Sequence, residues 1–272
     1  KQHNPVTGSG GMFVGRVVEI GALLRESCEV EVGDRIASLV SLTLTPLALE
    51  RVVAVDVATA RVDVVGHAIL FACAHFARLP NDIPPAVALA VLDVAGAPAQ
   101  IRRLARPGAT VVVIGADGKS GLLACAQAKA RVGPSGRVIG IAPSARSRGA
   151  CLLRELGLVD DFLEADARNA GTLLGALSER IPGLADLVVN CVNVPGTELA
   201  SILCARDEGT VYFFSMCTSF TAAALGAEGV GKDVTMIVGN GYTKGHAELA
   251  LDTLRSSRPL LDYFTRTYAA IA

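Results

Sequence analysis

Three glycines stand between an apolar run and a helical segment near the middle of this sequence. Gly115, Gly118 and Gly121 follow the β-branched run Val111–Ile114, and the helix-period segment Leu122–Val132 begins directly after them. Glycine permits a tight turn, lets backbone approach a pyrophosphate, and lets a helix pack close to the preceding strand. The N-terminus of the helix adds N–H donors and a partial positive charge. The order of strand, glycine turn and helix therefore predicts a dinucleotide site.

The spacing of these glycines differs from the strict dinucleotide fingerprint. It reads GxxGxxG, whereas GxGxxG would require a glycine at Asp117. A glycine-rich turn that binds nothing is therefore the alternative interpretation. Lys119 and Ser120 would add donors to the phosphates, although a solvated surface lysine explains Lys119 about as well. The predicted pyrophosphate-binding set is Gly115, Asp117, Gly118, Lys119, Ser120 and Gly121.

The segment after the next predicted strand bears on the choice between NAD and NADP. An NAD site places an acidic residue after the second strand, on the ribose hydroxyls. Here residues 142–148 carry no carboxylate but contain Ser144, Arg146 and Arg148. A hydroxyl and two guanidiniums suit a 2′-phosphate, so the sequence favours NADP over NAD. The alternative is that the two arginines belong to an ordinary exposed helix start.

Polar side chains follow the fourth and fifth strands of the predicted sheet. Asn190 and Asn193 come after the fourth strand, and Ser215 comes after the fifth. Ligands of parallel sheets gather at the carboxyl ends of the strands, so these side chains are predicted to hold the nicotinamide carboxamide. Simple turn chemistry explains them nearly as well.

Two regions of the chain differ in their pattern. Residues 11–80 carry short β-type runs broken by turns, including 13–20, 35–40, 51–55 and 68–73, which predicts a small, mostly antiparallel β domain. From Pro84 strands alternate with helices, which predicts a parallel sheet covered on both faces. The strands are predicted at 110–114, 137–141, 161–164, 186–191, 209–214 and 234–238. The helices are predicted at 86–104, 121–132, 145–156, 171–180, 196–205, 245–256 and 259–270.

Composition excludes several classes of function. The chain has 272 residues, of which 51% are apolar, enough for a substantial core. A net charge of −1 and 4% aromatic residues give no footprint for nucleic acid. No apolar run reaches the roughly 20 residues of a membrane span. The seven dispersed cysteines favour a reduced, cytoplasmic protein, and the four histidines show no ligand spacing, so no metal site is predicted.

A β domain followed by a dinucleotide fold resembles the medium-chain dehydrogenase/reductase superfamily, which includes alcohol dehydrogenases and quinone reductases. Gly8–Gly21 and Val32–Ile36 look like the glycine-rich turn of its catalytic domain and the hairpin after it. The resemblance implies an α/β fold, with a doubly wound parallel Rossmann sheet after an N-terminal, mostly-β, GroES-like catalytic domain. Because the chain opens without a strand to start that domain, we expect a segment before Lys1. No four-cysteine lobe occurs in residues 22–110, which implies a zinc-free member.

The predicted domain organisation follows from this comparison and from the change of pattern. Residues 1–82 form a partial β catalytic and substrate domain, and residues 83–240 form the Rossmann dinucleotide-binding domain. Residues 241–272 form a C-terminal helical segment that packs back toward the catalytic domain. A homodimer is the expected assembly.

Longer strings narrow the resemblance to the L-erythro-3,5-diaminohexanoate dehydrogenase family. They are Asn4–Met12, Ser38–Pro46, Ala90–Pro98, Asp186–Gly196, Phe214–Gly231 and Lys232–Gly241. This resemblance implies NAD(P)-dependent oxidative deamination of a diamino acid to 5-amino-3-oxohexanoate, with release of ammonia, in lysine fermentation. Two alternatives stay open: a zinc-free alcohol or quinone oxidoreductase of the same architecture, and a non-catalytic protein that senses NAD(P).

Oxidative deamination needs a proton acceptor, because an ammonium group has no lone pair with which to expel hydride. Asp93 lies in an apolar segment, where a lone carboxylate is costly unless it is partnered or used. The alternative is that the Asp93 carboxylate accepts a hydrogen bond within its own helix or pairs with Arg102 or Arg103. Glu198 lies at the start of a predicted helix, and helix capping also explains a glutamate at that position. The predicted catalytic set is Asp93, Glu198 and Lys232, and the predicted substrate-binding set is Thr7, Ser9, Glu228 and Lys244.

Overall fold

The computed structural model describes residues 11–39, 45–57, 61–239 and 241–269. The described residues up to Asp93 pack together with those from Asp262 onward as one unit, and Val94–Leu261 form a second. The β-rich and the alternating regions of the sequence therefore fall largely in different units.

The first unit contains a three-stranded sheet and a separate hairpin, and all of their strand pairs are antiparallel. The strands are β1 (Val14–Arg16), β2 (Arg35–Ser38), β3 (Leu47–Asp56), β4 (Arg61–Ala68) and β5 (Phe76–Arg78). The sheet has the order β1-β2-β5, and β3 pairs with β4. The antiparallel β region is confirmed, but the strand predicted at 68–73 is wrong. The chain leaves β4 at Ala68 and turns before β5.

The single apolar helix predicted over 86–104 is two helices, α1 (Pro85–Leu92) and α2 (Gly96–Leu104). Asp93 is the C-cap residue of α1 and is exposed. Near the start of α2 the backbones are in close contact, since a Cβ on Gly96 would lie 2.6 Å from the carbonyl oxygen of Gly241. Asp93 therefore lies at the end of α1 and is exposed, so the prediction of a carboxylate inside an apolar helix is wrong.

The second unit is built on a six-stranded parallel sheet. The strands are β6 (Thr110–Ile114), β7 (Arg137–Ala142), β8 (Asp161–Glu164), β9 (Ala185–Asn190), β10 (Ala205–Phe213) and β11 (Val234–Val238). Their order is β11-β10-β9-β6-β7-β8, and every neighbouring pair is parallel. This is the strand order of a doubly wound sheet. After β8 the chain crosses to the other side of β6, where β9 pairs with it, and such a sheet has a crevice between these two strands at their carboxyl ends. All six predicted strands are confirmed.

The helices of this unit and of the chain's end are α3 (Lys119–Val132), α4 (Arg148–Glu155), α5 (Ala170–Ser178), α6 (Glu198–Cys204), α7 (Phe220–Val230), α8 (His246–Arg255) and α9 (Arg258–Tyr268). Only α7 has no counterpart among the predicted helices. Its sequence is mostly alanine and glycine and carries no apolar period. The Ser219 hydroxyl caps it by accepting from Ala222 N, and left-handed Gly231 ends it.

Helices cover both faces of the parallel sheet. Val112 and Ile114 of β6 pack on one face in a core that includes Leu173 and Ile202. On the other face α2, α3 and α8 contact one another. The continuous β-branched run of β6 is thus buried on both sides, as predicted. Among the described residues, no helix has the length and apolar character needed to cross a membrane.

Candidate functional site

The glycine turn after β6 has a conformation that requires glycine at two positions. Gly115 has φ +78°, in the left-handed region that favours glycine. A Cβ on Gly121 would lie 2.1 Å from the carbonyl oxygen of Gly115 and 2.6 Å from the Cα of Ala116. The tight turn predicted at Gly115 and the close packing predicted at Gly121 are confirmed.

The third glycine of the turn has open space beside it. A Cβ on Gly118 would approach only the carbonyl oxygen of Gly115, at 3.6 Å. Gly118 is the N-cap residue of α3, so it offers no side chain to the N–H groups of the first turn, where Lys119 and Ser120 lie half-buried. Uncapped N–H groups and the helix dipole favour an anion at this point. The turn therefore fits the pyrophosphate of a dinucleotide.

A fourth glycine, Gly149, supports this turn and is absent from the predicted site residues. A Cβ on Gly149, in the first turn of α4, would lie 2.1 Å from the carbonyl oxygen of Asp117. Helix α4 therefore packs directly on the glycine turn at a point where only glycine fits. No local motif marks Gly149, because the contact joins two consecutive strand–helix connections.

The segment after β7 carries the predicted ribose-binding residues. The Ser144 hydroxyl accepts a hydrogen bond from the Arg146 backbone N at 3.2 Å, and the side chains of Arg146 and Arg148 are exposed. The structure adds a carboxylate that the sequence analysis did not assign to this place. Glu164, the last residue of β8, accepts from Ala145 N at 2.7 Å. Its position at the carboxyl end of the neighbouring strand is the signal that could have identified it.

Asn190 ends β9 and is 1% exposed. Its Nδ2 donates to the hydroxyls of Thr197 and Ser201, at 2.8 Å each, and its Oδ1 accepts from Val192 N at 2.9 Å. The side chain is thus engaged within the protein. The arrangement does not support the prediction that Asn190 holds the carboxamide directly.

The other two residues of the predicted nicotinamide set lie at the same edge of the sheet. Ser215 follows β10, and its backbone N donates to the carbonyl oxygen of Asn190 at 3.2 Å. Asn193 is exposed, and its Oδ1 accepts a weak hydrogen bond from the Cys217 thiol at 3.5 Å. The Ser215 hydroxyl accepts from Cys217 N at 3.1 Å. The loops after β9 and β10 are therefore joined to each other.

Glu198 is the member of the predicted catalytic set that lies beside these loops. It is the first residue of α6, is 4% exposed, and accepts from Ser219 N at 2.7 Å through Oε1. Lys232 lies at the opposite edge of the sheet, where its Nζ donates to the carbonyl oxygen of Ala205, the first residue of β10. The structure therefore does not bring Lys232 to Glu198.

The predicted substrate-binding residues are not brought together either. Glu228 is exposed near the end of α7, toward the same edge as Lys232. Lys244 is exposed in the segment after β11, and Thr7 and Ser9 lie outside the described residues. Near Lys244 lies His246, one of the four histidines for which no ligand role is predicted. It begins α8 and is buried, and its ring meets that of Tyr242 edge-on at 4.8 Å.

Two thiols near the glycine turn, those of buried Cys125 and half-buried Cys191, do not supply a nucleophile. Burial raises the pKa of Cys191 to about 12, and the hydrogen bond with Ser120 offsets only part of that rise. Burial also raises the pKa of Cys125. Both thiols are therefore protonated at neutral pH. In the described parts of the chain, no group of three or more His, Cys, Asp or Glu side chains is arranged to hold a metal ion.

Comparisons with known proteins agree with this geometry. Residues 1–80 match the model of the L-erythro-3,5-diaminohexanoate dehydrogenase N-terminal domain. The L-erythro-3,5-diaminohexanoate dehydrogenase of Acetoanaerobium sticklandii is 51% identical over 98% of this chain and 78% of its own length. That of Fusobacterium nucleatum subsp. nucleatum is 47% identical over 98% of this chain and 77% of its own length.

A solved structure shows the fold. Mycobacterial Rv1454c, complexed with NADPH, superposes with a TM-score of 0.57 at 20% identity, over 94% of this chain and 71% of its own. The fold is that of the medium-chain dehydrogenase/reductases, with an N-terminal β region before a six-stranded Rossmann sheet. Because the two dehydrogenases are about half identical to it over nearly all its length, the chain belongs to the L-erythro-3,5-diaminohexanoate dehydrogenase family.

Proposed function

We propose that this protein binds a nicotinamide dinucleotide at the glycine turn and oxidatively deaminates L-erythro-3,5-diaminohexanoate to 5-amino-3-oxohexanoate. The observation that carries the proposal is the turn from Gly115 to Gly121, which leads into the N-terminus of α3 beside the crevice between β6 and β9. The names of the two dehydrogenase relatives supply the substrate.

A nicotinamide coenzyme held at the glycine turn would supply the acceptor for the hydride that leaves C3 of the substrate. Before that transfer the 3-ammonium group must lose a proton, since only a neutral amine has the lone pair that forms the C=N bond. We assign this proton to Glu198, a buried carboxylate beside the loops after β9 and β10. Water then adds to the imine carbon, and ammonia leaves to give the ketone. Exposed Asp93 and remote Lys232 are not part of this proposal.

A coupled assay tests the whole reaction. The purified protein is mixed with L-erythro-3,5-diaminohexanoate and either NAD+ or NADP+, and absorbance at 340 nm and free ammonia are followed together. We expect equal amounts of reduced coenzyme and ammonia. Quinone or alcohol turnover without ammonia would favour the alternative oxidoreductase, and tight coenzyme binding without turnover would favour a sensor.

We further propose that NADP is the preferred coenzyme. Arg146 and Arg148 are exposed after β7, and guanidiniums bind a phosphate dianion through charge-assisted hydrogen bonds. The negative charge of Glu164 disfavours a 2′-phosphate, although one of its carboxylate oxygens already accepts a hydrogen bond from Ala145 N.

Replacing both arginines tests the coenzyme preference. Arg146→Ala with Arg148→Ala should weaken NADPH binding about tenfold to a hundredfold, the effect of losing one or two charged hydrogen bonds. NADH binding should change less than twofold, because NADH has no 2′-phosphate. Fluorescence titration measures both constants, and Arg102→Ala, an exposed arginine on α2, is the matched control. An equal loss for both coenzymes would contradict the assignment.

We also propose a homodimer. Within the described residues, strand β11 pairs with β10 and is the last strand in the sheet order, and its outer edge would pair with that of a second copy. Phe220 and Leu225 of helix α7, which precedes β11 in the chain, are both exposed. Sedimentation equilibrium should give twice the chain mass, and charged substitutions at both positions should lower it.

A further inference from the structure

A buried polar network lies at the carboxyl end of β9, beside a core of mostly apolar side chains. Asn190, Thr197 and Ser201 are 1%, 3% and 0% exposed. Asn190 Nδ2 donates to both hydroxyls, and the Ser201 hydroxyl donates in turn to the carbonyl oxygen of Thr197 at 2.8 Å. Such satisfied networks hold their members in one arrangement, because an unpaired buried group is costly.

The same asparagine connects two loops. Its Oδ1 accepts from Val192 N, at the start of the loop after β9. Its backbone oxygen accepts from Phe214 N at 3.0 Å and from Ser215 N at 3.2 Å, at the start of the loop after β10. Asn190 therefore fixes the backbone position at the start of both loops.

An amide is required for the side-chain part of this connection, to Val192 N and to the two hydroxyls. It offers an acceptor to Val192 N and two donors to the hydroxyls, whereas a carboxylate offers acceptors only. The Ser201 proton already points to the Thr197 carbonyl oxygen, so a carboxylate at position 190 would face a lone pair of the Ser201 hydroxyl. Aspartate of the same shape would therefore disturb the network.

We propose that Asn190 is a positioning residue for the nicotinamide half of the coenzyme, acting through the loops after β9 and β10 rather than by contact. This inference rests on the proposed function. The adenine half of the dinucleotide would bind at the glycine turn and at residues 142–148. The loop after β9 also borders the glycine turn, since a Cβ on Gly115 would lie 3.2 Å from Val192 N. Disturbing the network should therefore weaken the binding of the nicotinamide half more than that of the adenine half.

The test compares two probes on the same variants. The first is the reduced coenzyme that the wild type binds better, and the second is its matching adenine half, ADP-ribose or 2′-phospho-ADP-ribose. In Asn190→Asp and in Thr197→Val, we expect the whole coenzyme to bind about tenfold weaker, as for the loss of one buried hydrogen bond. The adenine half should bind within twofold of wild type. Thr197→Ser keeps the hydroxyl and should restore binding.

Thr253→Val is the matched control, since its hydroxyl donates to the Leu249 carbonyl oxygen within α8. It should leave both dissociation constants unchanged. Thermal unfolding of each variant identifies any that fails to fold, and the isosteric Thr197→Val keeps the test alive if Asn190→Asp unfolds. Equal weakening of both probes, or of neither, would overturn the positioning role. Failure of the wild type to bind either probe would instead overturn the proposed function.

Discussion

Gly121→Ala is expected to abolish measurable coenzyme binding. The added Cβ would lie 2.1 Å from the carbonyl oxygen of Gly115 and 2.6 Å from the backbone of Ala116. These neighbours are backbone atoms, so no change of side-chain rotamer relieves the contact, and helix α3 must move away from the turn. Where a site must hold its ligand in one geometry, a displacement of about 1 Å lowers the reaction rate about a hundredfold. We expect binding at least that much weaker, with unfolding free energy lowered by about 1–3 kcal/mol.

Two other glycine variants separate an effect on the ligand from an effect on the fold. Gly175→Ala in α5 meets nothing within 4 Å, so it should leave binding unchanged and stabilise the protein by about 0.5–1 kcal/mol. Gly118→Ala meets only one atom, at 3.6 Å, so the fold should tolerate it while a pyrophosphate against Gly118 would not. Fluorescence titration with NADPH and thermal unfolding give both quantities. Unchanged NADPH binding in Gly121→Ala would contradict a nucleotide site at this turn.

The strands and most helices could be predicted from the sequence because their signals are local. Thr110–Ile114 is a continuous β-branched run, and a Rossmann sheet consists of such runs separated by helices. Helix α7 lacks that signal, since its alanines and glycines have no apolar period and its ends depend on Ser219 and Gly231. The position of Asp93 depends on the break between α1 and α2, which apolar character alone does not reveal.

The candidate site could be predicted only at positions where the local backbone geometry requires one residue type, glycine. Gly115 and Gly121 fit because the turn itself excludes a side chain. Glu164 and Ala145 are far apart in sequence and meet because β7 and β8 are neighbours. The role of Asn190 likewise depends on which loops lie beside β9. Contacts of this kind follow from strand order, which residue spacing does not contain.

Glu198→Gln is expected to lower the rate of deamination by about a hundredfold to ten-thousandfold, the usual contribution of a positioned base. The glutamine oxygen can still accept from Ser219 N, so the link between α6 and the start of α7 survives the substitution. What the variant loses is the negative charge and the capacity to take a proton. The dissociation constant of NADPH should therefore stay within twofold of wild type.

The division of the loss between turnover and binding decides between a chemical and a structural role for Glu198. If its carboxylate takes the proton, Glu198→Gln loses kcat while the dissociation constant of NADPH is unchanged. Glu179→Gln, which changes an exposed glutamate at the C-terminal end of α5, is the matched control and should keep the wild-type rate. Near wild-type turnover in Glu198→Gln would show that Glu198 has a structural role only, as the hydrogen-bond acceptor that connects α6 to the start of α7. The proton acceptor would then have to be sought elsewhere along the carboxyl edge, with His246, buried at the start of α8, as the next titratable side chain to replace.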